Sequence, residues 1–137
     1  MTDMKERGLL LDTCAVIWFF NGEPVSDAAL KAFAETTPYI SPISAWEIGM
    51  LAAKNRVAFS IPARTWVDQV FTRPNVRIAD MTPEVLVDSS FLPGSAPSDP
   101  ADRIIISSAR HFGLDIVTRD HLILEYAKHG HVGALKC

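Results

Sequence analysis

Five acidic residues, Asp12, Glu47, Asp99, Asp102 and Asp120, stand out by their setting. Asp12 closes the apolar stretch GLLLD and is followed, after Thr13, by CAVIWFF, where a solvated surface charge is not expected. Asp120 follows the apolar segment DIVT by two residues, Glu47 comes soon after PYIS, and Asp99 and Asp102 follow a proline-rich stretch. Carboxylates gathered without a cation repel one another, and some are forced to hold protons. A hard divalent ion relieves that repulsion, and an oxygen-only donor set favours magnesium or manganese over zinc. The two cysteines, Cys14 and Cys137, lie at opposite ends of the chain with no metal-type spacing and no Cys/His cluster beside them. Cys14 sits inside an apolar run and reads as a buried thiol.

Each acid also has a purely structural reading. Asp99 can cap a helix that starts at Pro100, which leaves Asp102 in the dipole-favoured first turn. Ser44-Ala-Trp-Glu47 fits a capping box, Asp120 fits an N-cap before His121, and Asp12 fits a turn after a strand. Capping explains Asp99 fully and Asp12 least. What argues for a shared site is that an acid recurs at the end of almost every strand.

The elements that must position these acids are readable from pattern. Short apolar runs at 8–12, 38–41, 76–79, 115–118 and 132–135 are the strand candidates. Between them, helix signals cover residues 26–34, a start at Ser41-Pro42 or at Ser44 with a continuation over 45–56, a segment around 66–71 after Ser60 and Pro62, and a start at Thr82-Pro83-Glu84. Residues 92–100 hold three prolines and a glycine and read as a loop. A helix from about 102 to 112, stopped by Gly113, and another over 121–128 complete the set. Strands alternating with helices predict an α/β domain with a mainly parallel sheet. Ligands of such sheets bind beyond the carboxyl ends of the strands, where these acids fall.

At 137 residues the chain reads as one domain over 1–137 with a single core, and no repeat or linker interrupts it. Hydrophobic residues at 48% and charged residues at 21% exclude a disordered chain. The apolar runs are too short to cross a membrane, and the N-terminal stretch lacks the apolar region of a secretory signal, so a cytoplasmic protein is expected. A net charge of −3 gives no basic footprint for passive nucleic-acid binding, although it is compatible with an enzyme whose acids are neutralised by cations.

The segments LLLDTCAVIWFFNG (9–22), SPISAWEIGMLAAKNR (41–56), DPADRIIISSAR (99–110) and LDIVTRDHLILEYAK (114–128) resemble the PIN-domain family, in particular its VapC-type toxins of bacterial toxin–antitoxin pairs. Together they cover about half of the chain, in the family's order. The resemblance implies a three-layer α/β/α sandwich and magnesium-dependent cleavage of RNA. It maps an acidic quartet onto Asp12, Glu47, Asp102 and Asp120, places Thr13 as a hydroxyl beside the first acid, and implies an antitoxin partner and a homodimer. One departure is visible: where many similar toxins carry a histidine shortly before the Asp-Pro-x-Asp-Arg segment, this chain reads Ala96-Pro97-Ser98.

The expected chemistry is hydrolysis of an RNA phosphodiester by a water whose pKa is lowered by Mg2+, or by Mn2+ in its place. Asp12 and Asp102 are the expected direct ligands. Asp120 and Glu47 are expected to bind the metal through water or to position the attacking water. Arg103 and Arg119 adjoin two acids and are candidates for phosphate contacts, against a competing role in surface ion pairs. The cluster Trp18, Phe19, Phe20, Trp46, Ile48, Met50 and Leu51 reads mostly as core, with some members lining an antitoxin groove on the family's pattern. A phosphatase of the haloacid dehalogenase type would need a second Asp where Cys14 stands, and a phosphoacceptor receiver domain would need paired acids and a late lysine that are not in place. The remaining alternative is a PIN-like scaffold that binds RNA or a partner without cutting.

Overall fold

The computed structural model describes residues 7–137. Strands β1 (Leu9–Leu11), β2 (Pro38–Ile40), β3 (Arg77–Ile78), β4 (Asp115–Thr118) and β5 (Gly133–Lys136) form one sheet in the order β3-β2-β1-β4-β5. Every pairing is parallel, with Leu9 opposite Pro38 on one side and Asp115 on the other. Among the described residues, seven helices connect the strands: α1 (Thr13–Phe20), α2 (Asp27–Glu35), α3 (Pro42–Ala53), α4 (Ala63–Phe71), α5 (Pro83–Asp88), α6 (Pro100–Phe112) and α7 (His121–Lys128).

Alternation along β1 sends successive side chains to opposite faces, and the sheet separates two cores. Leu9, Leu11, Ile40 and Val117 pack on one side with Ala15, Val16 and Ile17 of α1, Ile48 of α3, and Trp66 and Val70 of α4. Leu10 and Ile116 pack on the other with Ile105, Ile106 and Ala109 of α6 and Ile123 and Tyr126 of α7. This is the expected three-layer α/β/α sandwich, with a sheet that is wholly parallel among the described residues. None of its described helices is long and apolar enough to cross a membrane.

Helix α1 has no counterpart among the helices expected from pattern. Its sequence, TCAVIWFF, is apolar almost throughout, so it carries no helical periodicity. A helix of that kind forms where it is covered on most sides, and here Ala15, Val16 and Ile17 are buried while Trp18, Phe19 and Phe20 are half-buried. Asp12 starts it as N-cap, accepting from the Ala15 N–H at 2.8 Å.

The strand order fixes where a ligand can sit. The chain moves outward from β1 to β2 and β3, then returns to lay β4 and β5 on the other side of β1. The connections leaving the carboxyl ends of β1 and β4 diverge at this switch point and open a crevice.

Candidate active site

Asp12 leaves β1 at the switch point and is 7% exposed. Besides capping α1, it receives a hydrogen bond from the hydroxyl of Thr118, the last residue of β4. The same Thr118 oxygen accepts the backbone N–H of Asp120 at 2.8 Å. One fully buried hydroxyl thus ties together the acids that follow the two central strands. Burial, with repulsion from Asp120 and Glu47, pushes the Asp12 carboxyl up to about 6, although the bonds from Thr118 and Ala15 oppose the rise.

Glu47 is not part of a capping box. Ser41 caps α3, accepting from Ile43 N–H at 3.2 Å, which places Glu47 in the second turn, out of reach of the helix start. Its carboxylate accepts instead from the Thr13 hydroxyl. Thr13 has a single proton to give, so the buried Ser44 hydroxyl, 2.9 Å away, donates to Thr13 in turn. Burial raises the Glu47 pKa, against the bond from Thr13.

Asp99 caps α6, accepting from the Asp102 N–H at 3.0 Å, and Asp102 lies in the first turn. Asp102 is pushed up to about 7, first by burial and then by Asp99, Asp120, Glu47 and Asp12. Asp120 caps α7 through the Ile123 N–H at 3.0 Å. Capping and facing a shared cavity therefore coexist: three caps, a first-turn aspartate and an interior glutamate all face one cavity of about 420 Å³. Asp12, Thr13, Cys14, Trp18, Glu47, Asp99, Asp102, Arg119 and Asp120 line it.

Three expectations need correction. Cys14 is exposed and lines the cavity, because the first turn of α1 buries Thr13 and Ala15 and turns the residue between them outward. Although its surface is open, the protein packed around the thiol and the neighbouring acids, Asp12 foremost, push it up to about 11, so it is not a thiolate at neutral pH. Arg103 does not reach the cavity; its guanidinium donates to the carbonyls of Ser89 at 2.8 Å and Pro97 at 3.0 Å and pins the loop before α6. Neither Arg103 nor Arg119 makes a surface ion pair among the described residues. Arg119 does line the cavity, donating to the Pro24 carbonyl at 2.6 Å with its guanidinium over the Trp18 ring. In the aromatic cluster, Ile48 is fully buried but Trp46 is 60% exposed on the outside of α3. Thr118 is not singled out by the sequence and Ser44 is read there only as a cap, because a Thr closing a strand and a Ser near a helix start are ordinary there.

The donor set suits a hard cation: five carboxylates, no imidazole and a protonated thiol. The carboxyl pKa values of Asp12 and Asp102 are raised first by burial and then by neighbouring acids, and a cation would offset both. Among the described residues, no three His, Cys, Asp or Glu side chains already stand in an arrangement that would hold an ion together.

A parallel α/β/α sandwich with an acid-lined crevice at its switch point defines a class of α/β folds that bind ligands there, and comparison narrows the class to a family. Residues 9–129 match the model of the PIN domain, and the chain belongs to that family. It is 35% identical over 115 residues to Ribonuclease VapC22 of Mycobacterium tuberculosis, covering 82% of this chain and 86% of that protein. The fold is shared with VapBC2 from Rickettsia felis bound to a DNA fragment from its promoter (TM-score 0.67, 17% identity, 94% of this chain and 98% of that one). It is also shared with a toxin–antitoxin complex from Klebsiella pneumoniae (TM-score 0.58, 21% identity, 82% and 86%).

Proposed function

We propose that this chain is a metal-dependent endoribonuclease, the toxin of a toxin–antitoxin pair, acting through Asp12, Glu47, Asp102 and Asp120. The observation that carries this reading is the convergence of the quartet on one cavity at the switch point of the sheet. Its 35% identity to a ribonuclease over most of both chains supports RNA as the substrate. Likeness to a toxin–antitoxin complex supports a protein partner that restrains the enzyme. A second copy of the chain, forming a homodimer, belongs to the same reading.

Bound Mg2+ or Mn2+ would supply charge to neutralise the phosphate and lower the pKa of an attacking water. Asp12 and Asp102 would be its ligands, because burial and neighbouring acids leave both carboxyls with most to gain from a cation. Thr118 keeps Asp12 oriented by its hydrogen bond. Thr13 does the same for Glu47, which with Asp120 orients the water and receives its proton. Arg119 offers the cavity's positive charge to the incoming RNA backbone.

The test is cleavage of RNA by wild type and by Asp12→Asn, with RNA ends mapped by sequencing. Wild type should produce new ends only when Mg2+ or Mn2+ is present, and Asp12→Asn none. Equal cleavage by both would refute the site. Calorimetry with Mg2+ separates an enzyme from a scaffold: a non-catalytic PIN-like binder would take up no ion at the quartet.

A further inference from the structure

Arg119 is the one cationic side chain among the residues that line the acidic cavity. It stands between Thr118 and Asp120, with Asp12 and Asp102 across the same space, yet none of the ion pairs among the described residues includes it. Its guanidinium carbon lies 3.9 Å from the centre of the Trp18 ring, and one amine donates to the Pro24 carbonyl. Trp18 is in turn half-buried against the core around α1, which fixes the indole. The arginine is therefore held by an aromatic face and a carbonyl, not by the acids beside it. That anchorage keeps both its charge and its plane available, and Arg119 is exposed.

A guanidinium plane backed by an aromatic ring is a surface on which an unpaired nucleobase stacks, because every base has a π face. We propose that Trp18 and Arg119 form a base-stacking platform that seats a nucleobase of single-stranded RNA next to the phosphate held at the carboxylates. The assignment rests on the ribonuclease reading above. It requires an unpaired base, since a base inside a duplex already stacks on its neighbours. Because platform and acids share one cavity, the seated base lies close along the chain to the bond that is cut.

The test uses the protein inactivated by Asp102→Asn and two probes: a fluorescein-labelled single-stranded RNA, and the same ribose–phosphate chain with its bases removed. Trp18→Leu and Arg119→Lys should each weaken binding of the RNA about tenfold, the worth of one stacked base. Trp18→Leu should leave binding of the abasic chain unchanged, Arg119→Lys should weaken the abasic chain less than it weakens the RNA, and Trp18→Phe should restore RNA binding. Arg119 is exposed, so its variant folds even if Trp18→Leu does not. Equal loss on both probes would reduce the pair to a charge or packing role and overturn the platform. So would unchanged RNA binding in both variants, or unchanged RNA binding with loss of a co-expressed protein partner. If the active wild type cuts RNA and Arg119→Lys leaves KM untouched, the platform falls while the ribonuclease stands; if wild type neither cuts nor binds RNA, both fall.

Discussion

At the amino ends of β1 and β4, Asp115 is met by Arg7 at 3.1 Å, and Gly133 opposite it on β5 leaves room that any side chain would take, since a Cβ there would lie 2.0 Å from the Asp115 carboxylate. At the carboxyl ends of the same two strands, Asp12 and Asp120 share a cavity with Asp99, Asp102 and Glu47. The first carboxylate has a cation beside it. The second group has one arginine in reach, and that arginine lies on Trp18. A fold can satisfy its acids locally, and at one end this sheet does so. Where it instead desolvates several of them together, the deficit of positive charge is what an incoming cation meets.

The largest contrast comes from the same substitution made at the two ends. Asp102→Asn should remove all metal-dependent cleavage while making the metal-free protein more stable, because it deletes one of the repelling charges. A gain of about 1 kcal/mol would raise Tm by a few degrees in a domain of this size. A variant that still cuts, or whose metal-free Tm falls at pH 8, would break the comparison. Thr118→Val keeps the shape of the side chain but leaves the buried Asp12 oxygen without its donor, at a cost of about 1–3 kcal/mol by urea unfolding. A cost near zero would show that Thr118 does not hold the acid.

The pH dependence has a definite sign. Asp102 titrates at about 7 and Asp12 at about 6 in the folded chain, against an ordinary 3.8. Between those values the folded state holds more protons than the unfolded one, so stability without metal falls as pH rises from about 4 to about 7. Mg2+ competes with the same protons. It should therefore raise Tm by a few degrees at pH 8 and by clearly less near pH 5. An equal increment at both would show that these carboxyls do not take part. The smallest effect is expected from Asp115→Asn, under about 1 kcal/mol, since the pair is about one-third exposed, with cleavage unchanged.

Much of this was legible in the chain. The five strands, the loop before α6 and the helices that begin with a polar cap follow from local pattern, within a residue or two at their ends except for α3, expected to run to 56 and ending at Ala53. Helix α1 was not legible, since a segment covered on most sides has no polar face to report its period. The site was legible as a set of acids, but their separate duties were not. Asp99 and Asp120 look like caps because they are caps, and a carboxylate at a helix start can serve the helix and the cavity together. Glu47 looked like half of a capping box until Ser41 proved to start α3 one turn earlier. Arg103 and Arg119 look alike beside their acids, and only packing distinguishes a loop clamp from a cavity wall.

The acids at the strand ends mark the division. By itself the sequence determined that acids follow the strands, that the sheet is mainly parallel, and that its cysteines and histidines form no cluster of zinc-type spacing, because composition and spacing act within a few residues. Tertiary structure alone decided that five carboxylates face one cavity, that Thr118 joins two of them, and that Cys14 opens outward. It also decided that Arg119 leans on Trp18. Those relations join residues up to about a hundred positions apart, and strand order, which no local pattern encodes, is what brings them together.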